Sequence, residues 1–262
     1  MGLFKYKGAS IHYTSKGKGR VVVLLHGFLE NAEMWKDIRE QLQTRFRVIA
    51  IDLLGHGNSE NIGYIHTMED QALMVKALLD SLQLRRYIVI GHSMGGYVGL
   101  SLAQLFPTAI KGLCLMNSTP LADNPEKKIN RDRAIEAVKQ NHKTFIRMSI
   151  PNLFASYNLT SFKNEINQVI NEALNMNQQG IIASLEGMKL RKDKAAVFNT
   201  LKAPTQLIIG KNDGAIDYKA TLKSIQNKQT EIVEFEDGHM SYIENKSELL
   251  DALTQFVKKC YK

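Results

Sequence analysis

The chain has 262 residues, 44% of them hydrophobic, which is enough to bury a large core and suits one α/β domain with an inserted subdomain. The formal net charge is +8, yet Lys and Arg are scattered, and the densest groups (Lys127-Lys128 with Arg131 and Arg133; Arg191-Lys192 with Lys194) read as solvated faces rather than a nucleic-acid surface. Two cysteines supply neither a disulfide framework nor a metal site, no stretch reaches the length needed to span a bilayer, and residues 1–10 lack an apolar targeting core. A cytoplasmic protein without membrane contact is the default expectation, which makes the Asn-x-Ser/Thr triplets at Asn117, Asn158 and Asn245 accidental.

In chain order, strand-like runs at 4–6 and 10–14 flank Lys7-Gly8 and predict a hairpin. β-branched runs follow at 20–25 and 47–51, with a polar segment of helical spacing at 34–42 between them. Leu73, Ala77, Leu78 and Leu82 mark one face of a helix over 68–82. A strand at 86–90, a small-residue helix at 96–106 and a strand at 110–116 come next; Cys114 falls inside that last run as a core residue. This alternation implies a mostly parallel sheet covered on both faces. From 119 to 200 no strand run occurs and helical spacing dominates, so 119–200 is expected to form an all-helical insertion between core segments 1–118 and 201–262. Strands resume at 205–210 and 231–235, with helices at 218–225 and 247–258, the last opened by a predicted capping box from Asn245 to Glu248.

Gly91-His92-Ser93-Met94-Gly95 lies between an apolar run and the small-residue helix, and that context carries more weight than the motif. A bare G-x-S-x-G arises by chance in roughly one chain of this length in ten at average composition. A serine on a sharp strand-to-helix turn projects its hydroxyl away from the sheet, and the helix behind it offers free N–H groups to developing negative charge. The bland reading is a structural glycine-rich turn; a phosphate loop is excluded because no Lys-Ser or Lys-Thr pair follows.

A serine hydroxyl needs a base, and the base needs an orienting group. Of seven histidines, His92 adjoins Ser93 and should point elsewhere, His26 and His56 sit in glycine-rich turns, and His12, His66 and His142 fall in a strand, a helix start and the insertion. His239, in Gly238-His239-Met240 after the last strand, is where ligands gather in open α/β sheets. Asp213 follows the 205–210 strand directly, with Asp217 in reserve and an Asx turn as its bland alternative. The 110–116 strand runs into Asn117 and offers no carboxylate, while Asp52, near Gly55-His56-Gly57, reads as a loop brace. Oxyanion donors are expected from the backbone N–H groups of Met94 and of Phe28, in His26-Gly27-Phe28.

Together His26-Gly27-Phe28, Asp52 with Gly55-His56-Gly57-Asn58-Ser59, the elbow with Gly96, Gly210-Lys211-Asn212-Asp213, and Gly238-His239-Met240 with Glu244 resemble the α/β-hydrolase superfamily over nearly the whole chain. The resemblance implies an eight-stranded, mostly parallel sheet with the insertion as a cap over the active site, and a branch of small bacterial carboxylesterases. Its neighbours include carrier-protein ester hydrolases, enol-lactonases, carbon–carbon bond hydrolases and perhydrolases. Ser93 argues against the dehalogenase and epoxide-hydrolase branches. No cofactor or metal is expected, and a small or medium uncharged ester is the expected substrate, with Leu29, Trp35, Phe145, Met148, Ile150, Leu153, Phe154 and Met188 as candidate pocket residues. The insertion's Arg131, Arg133 and Arg147 leave a carboxylate clamp open. The rival to an enzyme is a ligand sensor on the same fold, presenting its cap to an unknown protein partner.

Overall fold

A computed structural model describes residues 2–262. Eight strands form one sheet: β1 (Gly2–Tyr6), β2 (Ala9–Lys16), β3 (Val21–Leu25), β4 (Arg47–Ile51), β5 (Tyr87–His92), β6 (Ile110–Met116), β7 (Thr205–Gly210) and β8 (Glu231–Phe235), in the order β1-β2-β4-β3-β5-β6-β7-β8. The β1–β2 and β2–β4 pairs are antiparallel and the rest parallel. Positive φ at Lys7 (47°) and Gly8 (88°) gives the tight hairpin whose twist matches its strands.

Period-two alternation distributes the apolar residues of the central strands between two cores. Val21, Val23 and Leu25 face one cluster with helices α2 (Met68–Ser81) and α3 (Met94–Leu105), whereas Val22 and Leu24 face a second with α1 (Lys36–Leu42) and α10 (Lys246–Cys260). Both faces are therefore dry, as a parallel sheet requires.

Between β6 and β7 the described residues contain helices and 3-10 turns only: α4 (Pro125–Ser149), kinked at Asn141, then α5 (Lys163–Ala173), α6 (Gln178–Leu190) and α7 (Ala195–Thr200). Their apolar faces, through Ile135, Ile146, Ile181 and Met188, join the same cluster as α2 and α3 rather than forming a separate core. After β7 comes α8 (Tyr218–Ser224), and after β8 the short α9 (Ser241–Glu244).

The expected capping box at Asn245 does not form. Helix α9 ends immediately before it, so Asn245 is a junction between two helices, and its Nδ2 donates to Asp237 Oδ2 at 2.6 Å instead of its oxygen receiving an α10 amide. Helix α3 also begins at Met94, two residues earlier than its spacing suggested, and this brings its N-terminus directly behind Ser93.

Candidate active site

Strand β5 ends at His92 and α3 starts at Met94, leaving Ser93 alone to make the turn with φ 50° and ψ −114°. Such a conformation costs a non-glycine residue roughly 1 to 3 kcal/mol and persists only where its surroundings impose it. Here the Ser93 amide donates to Met116 O at 2.9 Å, and its carbonyl accepts from Ser118 Oγ at 2.8 Å. Glycine is obligatory at position 95, because a Cβ there would stand 2.1 Å from the Leu25 carbonyl oxygen.

Parallel pairing of β3, β5, β6 and β7 delivers the loops after them to one edge of the sheet. Asp213 follows β7, and its carboxylate is fully used: Oδ1 accepts from the Ala215 and Ile216 amides at 2.8 and 2.9 Å, and Oδ2 from His239 Nδ1 at 2.7 Å and Asn117 Nδ2 at 3.3 Å. Burial alone would push this carboxyl up, but the adjacent His239 and the bonds it and the two amides donate hold it below the usual carboxylate value. His239 follows β8, is 2% exposed, and is anchored by its amide to Leu153 O at 2.7 Å. Asp217, by contrast, caps α8, with Oδ1 accepting from the Ala220 amide at 2.9 Å. Among the described residues Ser93 Oγ makes no hydrogen bond; the contact made by this residue's backbone carbonyl is with Ser118 Oγ.

The β3 loop runs beside Ser93: a Cβ built on Gly27 would lie 3.2 Å from Ser93 Cβ. The Phe28 amide bonds nothing among the described residues, and Met94, as the first residue of α3, has no partner for its amide within the helix. Asp52 braces this region, accepting from the Ala32 amide at 2.8 Å and the Asn58 amide at 2.9 Å, while His26 Nε2 accepts from the Leu53 amide at 2.9 Å.

Glu30, Asn117 and Ser118 have site contacts that the sequence did not reveal. Asn117 holds left-handed backbone (φ 43°) and braces Asp213; its place at the end of β6 was the one signal available. Glu30 is buried, accepting from the Gly27 amide at 2.6 Å and pairing with His92 Nδ1 at 2.7 Å. That contact spans 62 residues and leaves no trace in any local pattern.

The pocket candidates separate. Leu29, Ile150, Phe154 and Met188 belong to the cluster shared with Met94, and Phe145 and Leu153 pack against it. Trp35 does not: it is fully buried on the opposite face of the sheet, with Val22, Leu24 and Ile38, as core filler. Met148 is 68% exposed on α4 and points away from that cluster. A cleft of about 380 Å³ opens beside the β3 loop, lined by Leu29, Glu30, Phe162, Val169, Glu172 and Tyr242; Ser93 and His239 do not line it. Of the insertion's arginines, Arg131 is tied at 3.1 Å to buried Asp123, which Arg191 meets at 2.8 Å, so Arg131 has an internal partner rather than a clamp role. Among the described residues no cluster of His, Cys, Asp or Glu is arranged to hold a metal ion, and no helix is long and apolar enough to cross a membrane.

The sequence model of the alpha/beta hydrolase fold family matches residues 20–246. A thermophilic esterase from Thermogutta terrifontis superposes with a TM-score of 0.89 at 29% identity, covering 99% of this chain and 97% of that one. An enol-lactonase from Burkholderia xenovorans gives a TM-score of 0.89 at 23% identity over 98% of this chain and 100% of its own, a likeness of fold alone. The pimeloyl-[acyl-carrier protein] methyl ester esterase of Nitrosomonas europaea is 37% identical over 112 residues, 43% of this chain and 42% of that protein. The chain spans 30% to 42% of the length of several curated relatives that it matches, this esterase among them.

Proposed function

The chain belongs to the alpha/beta hydrolase fold family, and on that premise we propose that it is a serine hydrolase of small or medium carboxylic esters, thioesters or lactones. One observation carries the reading: a serine held at φ 50° between strand and helix, on the same sheet edge as a buried histidine bonded at 2.7 Å to a buried aspartate. A fold-level likeness to esterases agrees with it and does not substitute for it.

In this reading His239 Nε2 takes the Ser93 hydroxyl proton as Oγ attacks the ester carbonyl, and Asp213 keeps the proton of Nδ1 and stabilises the imidazolium that forms. The tetrahedral oxyanion receives the N–H groups of Phe28 and Met94. Its collapse expels the alcohol, protonated by His239, and leaves an acyl group on Ser93. Water, deprotonated by His239, then attacks the acyl carbonyl, and the second tetrahedral intermediate collapses to the acid as Ser93 Oγ leaves and takes back the proton from His239. The 119–200 segment acts as a cap that selects the acyl or alcohol group through residues such as Phe154 and Met188. A cytoplasmic setting fits this chemistry.

Turnover across a panel of short-chain aryl esters, each measured for wild type and Ser93→Ala, tests the proposal. Wild-type hydrolysis lost by about 10⁴-fold or more in the variant is the expected result. No wild-type turnover on any ester would favour a binding role for the same site.

A further inference from the structure

The carboxylate of Glu30 and the imidazole of His92 form a chain of contacts that the reaction does not consume. Gly27 N–H donates to Glu30 Oε2 at 2.6 Å, His92 Nδ1 meets the same oxygen at 2.7 Å, and His92 Nε2 meets the His239 carbonyl oxygen at 3.0 Å. A carbonyl can only accept, so Nε2 carries a hydrogen. With Glu30 ionised, Oε2 accepts from both the Gly27 amide and Nδ1, so both ring nitrogens donate and His92 is an imidazolium beside a carboxylate inside the protein. The mutual shifts of the two groups, His92 up and Glu30 down, favour this form over a neutral acid and ring. Three loops meet there: the oxyanion loop through Gly27, the elbow through His92, and the base-bearing loop through the His239 backbone.

Resting on the esterase reading above, we propose that the buried Glu30–His92 ion pair is a positioning device, holding the Phe28 amide and the His239 ring in working register with Ser93. The pair touches no reacting atom. Its leverage is geometric, because Gly27 precedes Phe28 and the His239 carbonyl belongs to the residue whose ring is the base. The packing leaves no slack: a Cβ on Gly27 would sit 2.5 Å from Glu30 Oε2 and 2.8 Å from His92 Nδ1. The His92 and His239 rings lie 4.9 Å apart, so a shift of one is transmitted to the other.

Burial pulls the His92 proton affinity down, but the Glu30 charge and bond outweigh it and raise the ring above the ordinary histidine value. Burial pushes Glu30 up, and His92 brings it below the usual carboxylate value. The titratable groups facing the ring are Glu30, His26, Asp213, His239 and Tyr242, and only Glu30 is bonded to it through a side chain.

The test uses full-length protein with ¹⁵N-labelled histidine, the His92 resonances being assigned by their loss in His92→Asn, followed from about pH 6 to about pH 9. Glu30→Gln, which keeps size and one bond, is measured beside it for kcat and KM on a short aryl ester. Expected are two protonated nitrogens on His92 at neutral pH, a neutral ring in Glu30→Gln, and a kcat lowered about 10- to 100-fold with KM changed much less. The wild-type kcat should fall on the alkaline side as His92 loses its proton, and in Glu30→Gln that limb should move to lower pH. A neutral His92 ring in the wild type at pH 7, or a folded Glu30→Gln with wild-type kcat, overturns the proposal. If Glu30→Gln fails to fold, the wild-type ring titration decides alone. If the wild type hydrolyses no ester, the esterase reading fails, and the same titration still decides whether the ion pair exists.

Discussion

Asp213 and Asp217 lie four residues apart and meet different partners, one a histidine ring and the other the first turn of a helix. Replacing Asp213 by Asn keeps its shape but favours the wrong His239 tautomer, so ester turnover near neutral pH should drop on the order of 10⁴-fold. Asp217→Asn should leave turnover and melting temperature nearly unchanged, since Asn caps a helix about as well as Asp. Comparable losses in both variants would remove the acid role from Asp213. The depressed Asp213 carboxyl also fixes a sign for stability. Its contribution is complete above the ordinary carboxylate range and is lost as pH falls through its lowered folded-state value. Thermal melts from neutral pH down to about pH 3 should therefore show a shallower loss for Asp213→Asn than for wild type. Ser93, Asp213 and His239 could be picked out in the sequence because each follows an apolar run and sits beside glycine or a turn residue. Glu30 and His92 could not be paired there, since nothing local distinguishes a buried carboxylate in Leu29-Glu30-Asn31 from a surface one.

At the scale of elements, the strands and most helices follow from periodicity, which records spacing but not which face of the sheet a side chain meets. Trp35 shows the limit: it looked like a pocket aromatic and instead fills the core under α1 and α10. Trp35→Ala should cost about 3 to 5 kcal/mol in denaturant unfolding while leaving the kcat/KM of the folded fraction close to wild type. A selective loss of activity with intact stability would return Trp35 to the site. Asn245 failed as a cap for a related reason, because the pattern cannot see that another helix ends one residue before it. Within the helical segment, Phe154→Ala or Met188→Ala should change the preference between short and longer acyl esters by about 1 to 3 kcal/mol. Exposed Met148→Ala should change nothing. Uniform loss on every ester in folded Phe154 and Met188 variants would mean that the segment takes part in the chemistry itself.

Over the whole molecule, the parallel order of β3, β5, β6, β7 and β8 brings residues from positions 28 to 239 to one sheet edge, although they are far apart in the chain. The helical segment extends the core cluster of α2 and α3 instead of burying its own, so a single cooperative unfolding transition is expected, with near- and far-ultraviolet circular dichroism coinciding. Two separated transitions would show the segment to be an independent unit. The central claim, that Ser93 is a nucleophile activated by this architecture, is tested most directly by covalent capture. Wild type and Ser93→Ala are incubated with a fluorophosphonate, the labelled peptide is mapped by mass spectrometry, and residual ester turnover is followed alongside. A single adduct on Ser93, forming in step with loss of activity and missing from Ser93→Ala, is the expected result; an adduct on another residue, or undiminished hydrolysis by Ser93→Ala, would contradict it.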